Sequence, residues 1–297
     1  MQKTIILITM VLFGAIPTFL WADSPEEKVA PIRPGWKLVF EDTFDGVTKL
    51  DSEKWFDTYR SERLEYQELL KNPNWKSNQK FSQAHYVIED GILKIRLDRD
   101  LPKRKDILST TVSSIQTSRW TYNPHDKTFG TNDKFTAKYG WFEIRCRMPK
   151  GNGLHSAFWL LQKEADKQEI KLDGKRGKVG DGVVEIDIFE MLGSKVDERI
   201  NYFNVHFTEN GHYKYHFDFD CSQEFHTWAL NWEEGRLTWY LDGKEICVYE
   251  GETPKNEMLI LLGLYQNCGW TGPMDPEMPY PRDFEIDYIR VWQKETN

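Results

Sequence analysis

The stretch "HTWALNWEEGRLTWYLDGKEICVYE", His226 to Glu250, decides the fold. Trp228, Leu230 and Trp232 alternate with Ala229, Asn231 and Glu233, and Leu237, Trp239 and Leu241 alternate with Thr238 and Tyr240. A period of two places one set on each face of a β-strand. Glu234-Gly235 and Asp242-Gly243 stand between the apolar runs, and such dipeptides suit tight hairpins. Similar short runs recur along the chain, with Asp90-Gly91 as a third turn of this kind: "HYVIEDGILKIRLDR" (85–99), "GWFEIRCRM" (140–148), "SAFWLLQ" (156–162), "VVEIDIFEML" (183–192), "INYFNVHFT" (200–208), "MLILLGLY" (258–265) and "FEIDYIRVWQ" (284–293). Many short strands with frequent turns predict an all-β fold, an antiparallel sandwich or jelly roll.

Two stretches break the rhythm. Tyr59–Trp75, "YRSERLEYQELLKNPNW", can carry a short helix, and Lys163–Gly182 is a highly charged insertion of both signs. Each reads as a solvated surface loop or as a wall of the cleft. The start, "MQKTIILITMVLFGAIPTFLWADS", has one Lys, an apolar run from Ile5 to about Leu20, and small residues around Ala22. These features predict a secretory signal over residues 1–22, a leader over 23–34 and a single catalytic domain over 35–297. The run is shorter than the roughly 20 apolar residues of a membrane span, and Pro17 interrupts it. No Cys follows the cut as a lipid-anchored protein requires, so the expected location is secreted or periplasmic.

Of the 297 residues 39% are hydrophobic, 14% are aromatic and 12 are Trp, enough for a large core and in keeping with stacking on sugars. The net charge of −8 argues against a nucleic-acid partner, because phosphate binding needs a basic surface. A neutral or weakly charged substrate fits better, and a monomer is expected. Cys146, Cys221, Cys247 and Cys268 have neither metal-type spacing nor the density of a disulfide scaffold; one or two disulfides fit an oxidising compartment, with pairing open.

Within "GDGVVEIDIFEMLG" (180–193) three acids, Glu185, Asp187 and Glu190, sit in an apolar strand. Alternation puts Glu185 and Asp187 on one face, but Glu190 falls on the other. A one-residue β-bulge between Asp187 and Glu190 restores all three to one face, and bulges recur beside active sites. The bulged step advances roughly 13 Å, and two glutamates leaning together bring their carboxyls to about 5 to 6 Å. That range suits a retaining glycosidase, at about 5–5.5 Å, better than an inverting one, at about 6.5–9.5 Å. Crowded acids also raise at least one carboxyl pKa, so that one group is ionised while another holds a proton. The second Glu-Ile-Asp, Glu285 to Asp287, continues into Arg290 with no third acid, and reads as a strand with polar groups toward solvent or a metal.

From "WKLVFEDTFDG" through "KYGWFEIRCRMPKGNGLHSAFWLL" and "EIDIFEML" to "FEIDYIRVWQ", the chain resembles glycoside hydrolase family 16, the endo-β-glycanases of the concanavalin-like jelly rolls. The resemblance implies Glu185 as nucleophile, Glu190 as general acid/base and Asp187 as the residue tuning them, in a retaining double displacement. It implies a jelly-roll sandwich of two antiparallel sheets with a concave substrate cleft and places Trp159 there as a stacking residue; His206 and Asn78, and His155 and Gln266 where the chain departs from the family, are read as further substrate contacts. It implies no cofactor for catalysis, and a structural Ca²⁺ held by Glu41, Gly91 and Asp287, all oxygen donors. One departure stands out: members acting on β-1,3-glucan read Trp-Pro-Ala-Phe-Trp where this chain has His155-Ser156-Ala157-Phe158-Trp159. β-1,3- or mixed-linkage glucan is the favoured substrate, and a β-galactan of the agar, porphyran or mucin type is the alternative. The rival from another class is a non-catalytic carbohydrate-binding protein on the same fold, which has no need of both Glu185 and Glu190.

Overall fold

The computed structural model describes residues 28–57, 85–98, 111–123, 128–163, 184–208, 211–266, 269–273 and 277–295. Asn78, Cys268, the signal segment 1–22 and the two interruptions, apart from Lys163, lie outside them. Residues 31–297 form one compact unit.

Two antiparallel sheets dominate it. One carries β14 (Lys244–Glu250), β13 (Arg236–Leu241), β12 (His226–Glu233), β7 (Gly140–Arg147), β16 (Arg282–Lys294), β3 (Ile92–Leu97) and β2 (Tyr86–Glu89) in that order. β1 (Trp36–Asp42) pairs with the end of β16. The other runs β11 (His212–His216), β10 (Ile200–Asn204), β9 (Glu185–Leu192), β8 (Leu154–Gln162), β15 (Met258–Gln266) and β4 (Thr111–Gln116). β5 (Ser118–Asn123) and β6 (Thr128–Asp133) make a separate ribbon. This is the jelly-roll sandwich that the strand pattern predicts.

The three dipeptide turns fall where expected, each closing a two-residue loop: Glu233 pairs with Arg236, Leu241 with Lys244, and Glu89 with Ile92. Asp90 and Gly91, like Asp242 and Gly243, both have positive φ. Two successive positive values define the turn whose twist matches that of the flanking strands.

The core lies between the sheets. Trp228, Trp232 and Trp239 from β12 and β13 meet Phe158, Phe189 and Phe203 from β8, β9 and β10, all fully buried. Most of the tryptophans quoted from the deciding stretch are therefore packing residues. Truncating one of them to Ala removes about 3 to 5 kcal/mol. A smaller apolar layer, Ala157, Trp159, Leu161, Leu259, Leu261 and Tyr265, covers the opposite face of β8 and β15. The acids stand beside this second layer. Among the described residues no helix is long and apolar enough to cross a membrane. Cys146, Cys221 and Cys247 are free thiols.

Candidate active site

β9 pairs with β8 in a register that slips once: Phe158 faces Phe189, but Trp159 faces Asp187, leaving Ile188 as the extra residue. The bulge therefore lies between Asp187 and Glu190, where the alternation requires it. Ile188 and Phe189 both enter the core, and Glu185, Asp187 and Glu190 stand opposite Leu161, Trp159 and Ala157 on the other face. The Asp187 carbonyl accepts a 3.0 Å hydrogen bond from the Trp239 indole of the opposite sheet. A buried carbonyl needs such a partner, so the core side of the sandwich anchors the bend that aligns the acids.

The neighbouring strand completes the cluster. Tyr202 of β10 pairs with Glu190, and the His206 backbone N–H donates to the Glu185 carbonyl at 3.0 Å. His206 Nε2 lies 2.9 Å from Asp187 Oδ2 and 3.5 Å from Glu185 Oε1. Burial works against the imidazolium, but the Asp187 hydrogen bond and the charges of Glu185, Asp187 and Glu190 outweigh it, raising its pKa to about 9. Burial pushes the Asp187 carboxyl well above the ordinary range, and the Glu190 charge adds to this.

Glu190 is gripped from two sides. The Asn204 amide donates to Oε2, and the Asn204 carbonyl accepts from His212 Nδ1 at 2.7 Å. His155 Nε2 stands 3.2 Å from Oε1, an ion-pair distance, with the ring not aligned for a straight hydrogen bond. Burial raises the Glu190 carboxyl, but His155 and Asn204 together bring it below its usual value.

An aromatic wall flanks this acid. The His155 ring lies 5.2 Å from that of Tyr265 and 5.4 Å from that of Trp270, which is itself 5.1 Å from that of Tyr202. Trp270 is 47% exposed, an open ring beside the acids. Tyr265 folds back over Gly263, where a Cβ would come within 2.4 Å of its ring, and its hydroxyl accepts from Trp159 Nε1 at 3.2 Å.

The sequence-derived residues therefore divide. Glu185, Asp187, Glu190, His155 and His206 come together. Trp159 lies on the site face but is only 4% exposed, a buried support and not an open stacking surface. Gln266 shares the core-side parity of Leu262 and Leu264, and its amide donates to the Tyr280 hydroxyl; Tyr265, one place earlier, is the β15 residue that reaches the site. Asn78 is outside the described residues. Asn204, His212, Tyr202 and Trp270 are additions. Tyr202 and Asn204 follow from alternation once β10 is paired to Glu190, and His212 from the pairing of β11 with Asn204, but no local motif marks them.

The calcium set does not fit well. Glu41 accepts from Arg290 and Asp287 from Arg145, so both carboxylates already face guanidinium groups, while Gly91 sits in the β2–β3 turn. Glu185, Asp187 and His206 offer ligand atoms within 4.8 Å of one another. In the structure His206 Nε2 faces both carboxylates.

Three acids on one face, with a histidine and an amide on two of them, is a glycosidase-type arrangement. Residues 76–290, more than half of the chain, match Glycosyl hydrolases family 16. The chain belongs to that family. A relative among its members, Glucan endo-1,3-beta-glucosidase A1 of Niallia circulans, is 25% identical over 292 residues, covering 89% of this chain and 39% of the relative. Beta-glucanase of Brevibacillus brevis is 28% identical over 227 residues, covering 74% of this chain and 73% of that protein. Among solved structures, a GlcNAc[alpha]1-4Gal releasing endo-[beta]-galactosidase from Clostridium perfringens superposes with a TM-score of 0.68 at 26% identity, covering 90% of this chain and 64% of the other. The chain thus spans about two fifths of the length of the Niallia circulans relative and under two thirds of the Clostridium perfringens structure.

Proposed function

We propose that the protein is a secreted endo-acting β-glycanase that cuts internal linkages of a polysaccharide by retaining double displacement, with β-1,3- or mixed-linkage glucan as its substrate class. The observation that carries this reading is the bulge at Ile188, which brings Glu185, Asp187 and Glu190 onto one face. Glu185 attacks the anomeric carbon while Glu190 delivers a proton to the departing glycosidic oxygen. Glu190 then takes a proton from the water that releases the sugar from Glu185. Asp187 and His206 hold the charge balance beside the nucleophile. The named glucanase relatives support the glucan class. Residues 1–22 serve as the export signal and the chain from residue 35 as one catalytic unit; no step is routed through a metal.

A β-galactan is the second reading. His155 and Ser156 stand where β-1,3-glucan-active members have Trp and Pro, and an endo-β-galactosidase is among the similar structures. A reducing-sugar screen over laminarin, mixed-linkage glucan, agar, porphyran and mucin-type glycans tests both, with the anomer of the fresh product followed by NMR. Oligosaccharides with β configuration are expected; an α product, or no product from any of these, overturns the reading.

A further inference from the structure

A general acid must hold a proton when the glycosidic bond breaks, yet the site pulls Glu190 toward its ionised form. The same neighbours that do this suggest where the proton is kept. Asn204 has only hydrogens to offer Oε2, and its amide is fixed in that orientation by His212. On the other carboxylate oxygen stands His155, whose Nε2 can either give or accept a proton. Its ring is set between Tyr265 and Trp270, which hold it against Glu190.

Resting on the glycanase reading, we propose that His155 is the positioning partner of Glu190: it supplies to Oε1 the proton that Glu190 delivers to the leaving group. The pair carries one proton between its two members. In the resting site it lies on His155 Nε2. As the glycosidic oxygen arrives, the proton moves to Oε1 and on to that oxygen, which takes the electron pair of the breaking C–O bond while a Glu185 oxygen bonds to the anomeric carbon. In the second step Glu190 accepts a proton from water and shares it again with His155. No further reactant is required. Histidine at this place therefore does a task that a tryptophan cannot.

Other charges face the pair. Asp187 and Glu185 lie on β9, Tyr202 on β10 with His206 just beyond it, His212 on β11 and Tyr265 on β15. His206 lowers Glu190 in the same direction as His155, and replacing His155 leaves His206 in place.

The test uses the full chain. In His155→Gln the acid role falls to Glu190 alone, so the alkaline limb of kcat/KM moves to lower pH by about one unit, kcat falls about 10-fold and KM changes little. A profile that superimposes on the wild type after scaling overturns the proposal. NMR of the ring nitrogens, without substrate, gives a second arm: the His155 titration midpoint is expected to be lower in Glu190→Gln than in the wild type. An unchanged midpoint also overturns it. Because this arm needs no turnover, it decides the pair even if the substrate screen fails, and a failed screen with a shifted midpoint would fault only the assigned reaction.

Discussion

The two Glu-Ile-Asp tripeptides of this chain lie on opposite sheets, and their neighbours give them different chemistry. At Glu285 and Asp287, β7 supplies Arg147 to the first carboxylate and Arg145 to the second. At Glu185 and Asp187 the partner found among the described residues is His206, and the third acid, Glu190, meets Asn204 and His155. Both strands even carry a register shift, at Asp287 in β16 and at Ile188 in β9. A strand motif and a bulge are therefore insufficient for a site. What separates the two is whether the acids are neutralised by permanent cations, or left among groups that titrate and share protons. Arginine does not release its proton in a protein, whereas histidine does.

The largest effect should come from removing the third acid or the first. Glu190→Ala or Glu185→Ala is expected to lower turnover at least about 10³-fold with the fold intact, measured by product release and circular dichroism. Full activity in either would erase the distinction between the two copies. Asp187→Asn comes next, with a loss of roughly 10- to 100-fold, because it removes the group that His206 bonds.

His206 gives a pH test. It binds its proton more tightly folded, at about 9, than unfolded, at about 6.5. Its contribution to stability is therefore whole below about pH 6.5 and lost as pH rises through about 9. Denaturant melts of wild type and His206→Gln between pH 6 and 9.5 should converge at the alkaline end; a constant gap would contradict it. Trp239→Phe is expected to cost about 1 to 3 kcal/mol, because it leaves the Asp187 carbonyl buried without its donor, read as a fall in Tm. The smallest effect belongs to the control copy. Glu285→Ala should leave turnover unchanged and cost no more than about 1 kcal/mol, since Arg147 is partly exposed.

Much of the fold was legible in the sequence because its signals are local. Alternation in "WALNW" and "LTWYL", with Asp-Gly at the turns, depends on backbone geometry and on which face meets the core, and both are encoded within a few residues. The bulge was legible for the same reason: parity misplaces Glu190, and only an inserted residue corrects it. Gln266 shows the limit. A parity error of one residue separates it from Tyr265, and with no alternation in "MLILLGLY" to set the phase, the pairing with β8 decides which side chain reaches the site.

Local signals in the sequence were enough to establish a β-sandwich with three acids on one strand. Tertiary structure alone decided what those acids touch. Asn204 lies 14 residues from Glu190, and His155 lies on the strand before it. Neither spacing carries a signal, because contacts between strands depend on register and sheet order, which arise only when the whole core packs. The arginines facing Glu285 and Asp287 are 138 and 142 residues away, so the ion pairs that neutralise this copy of the motif arise only in the assembled sheet.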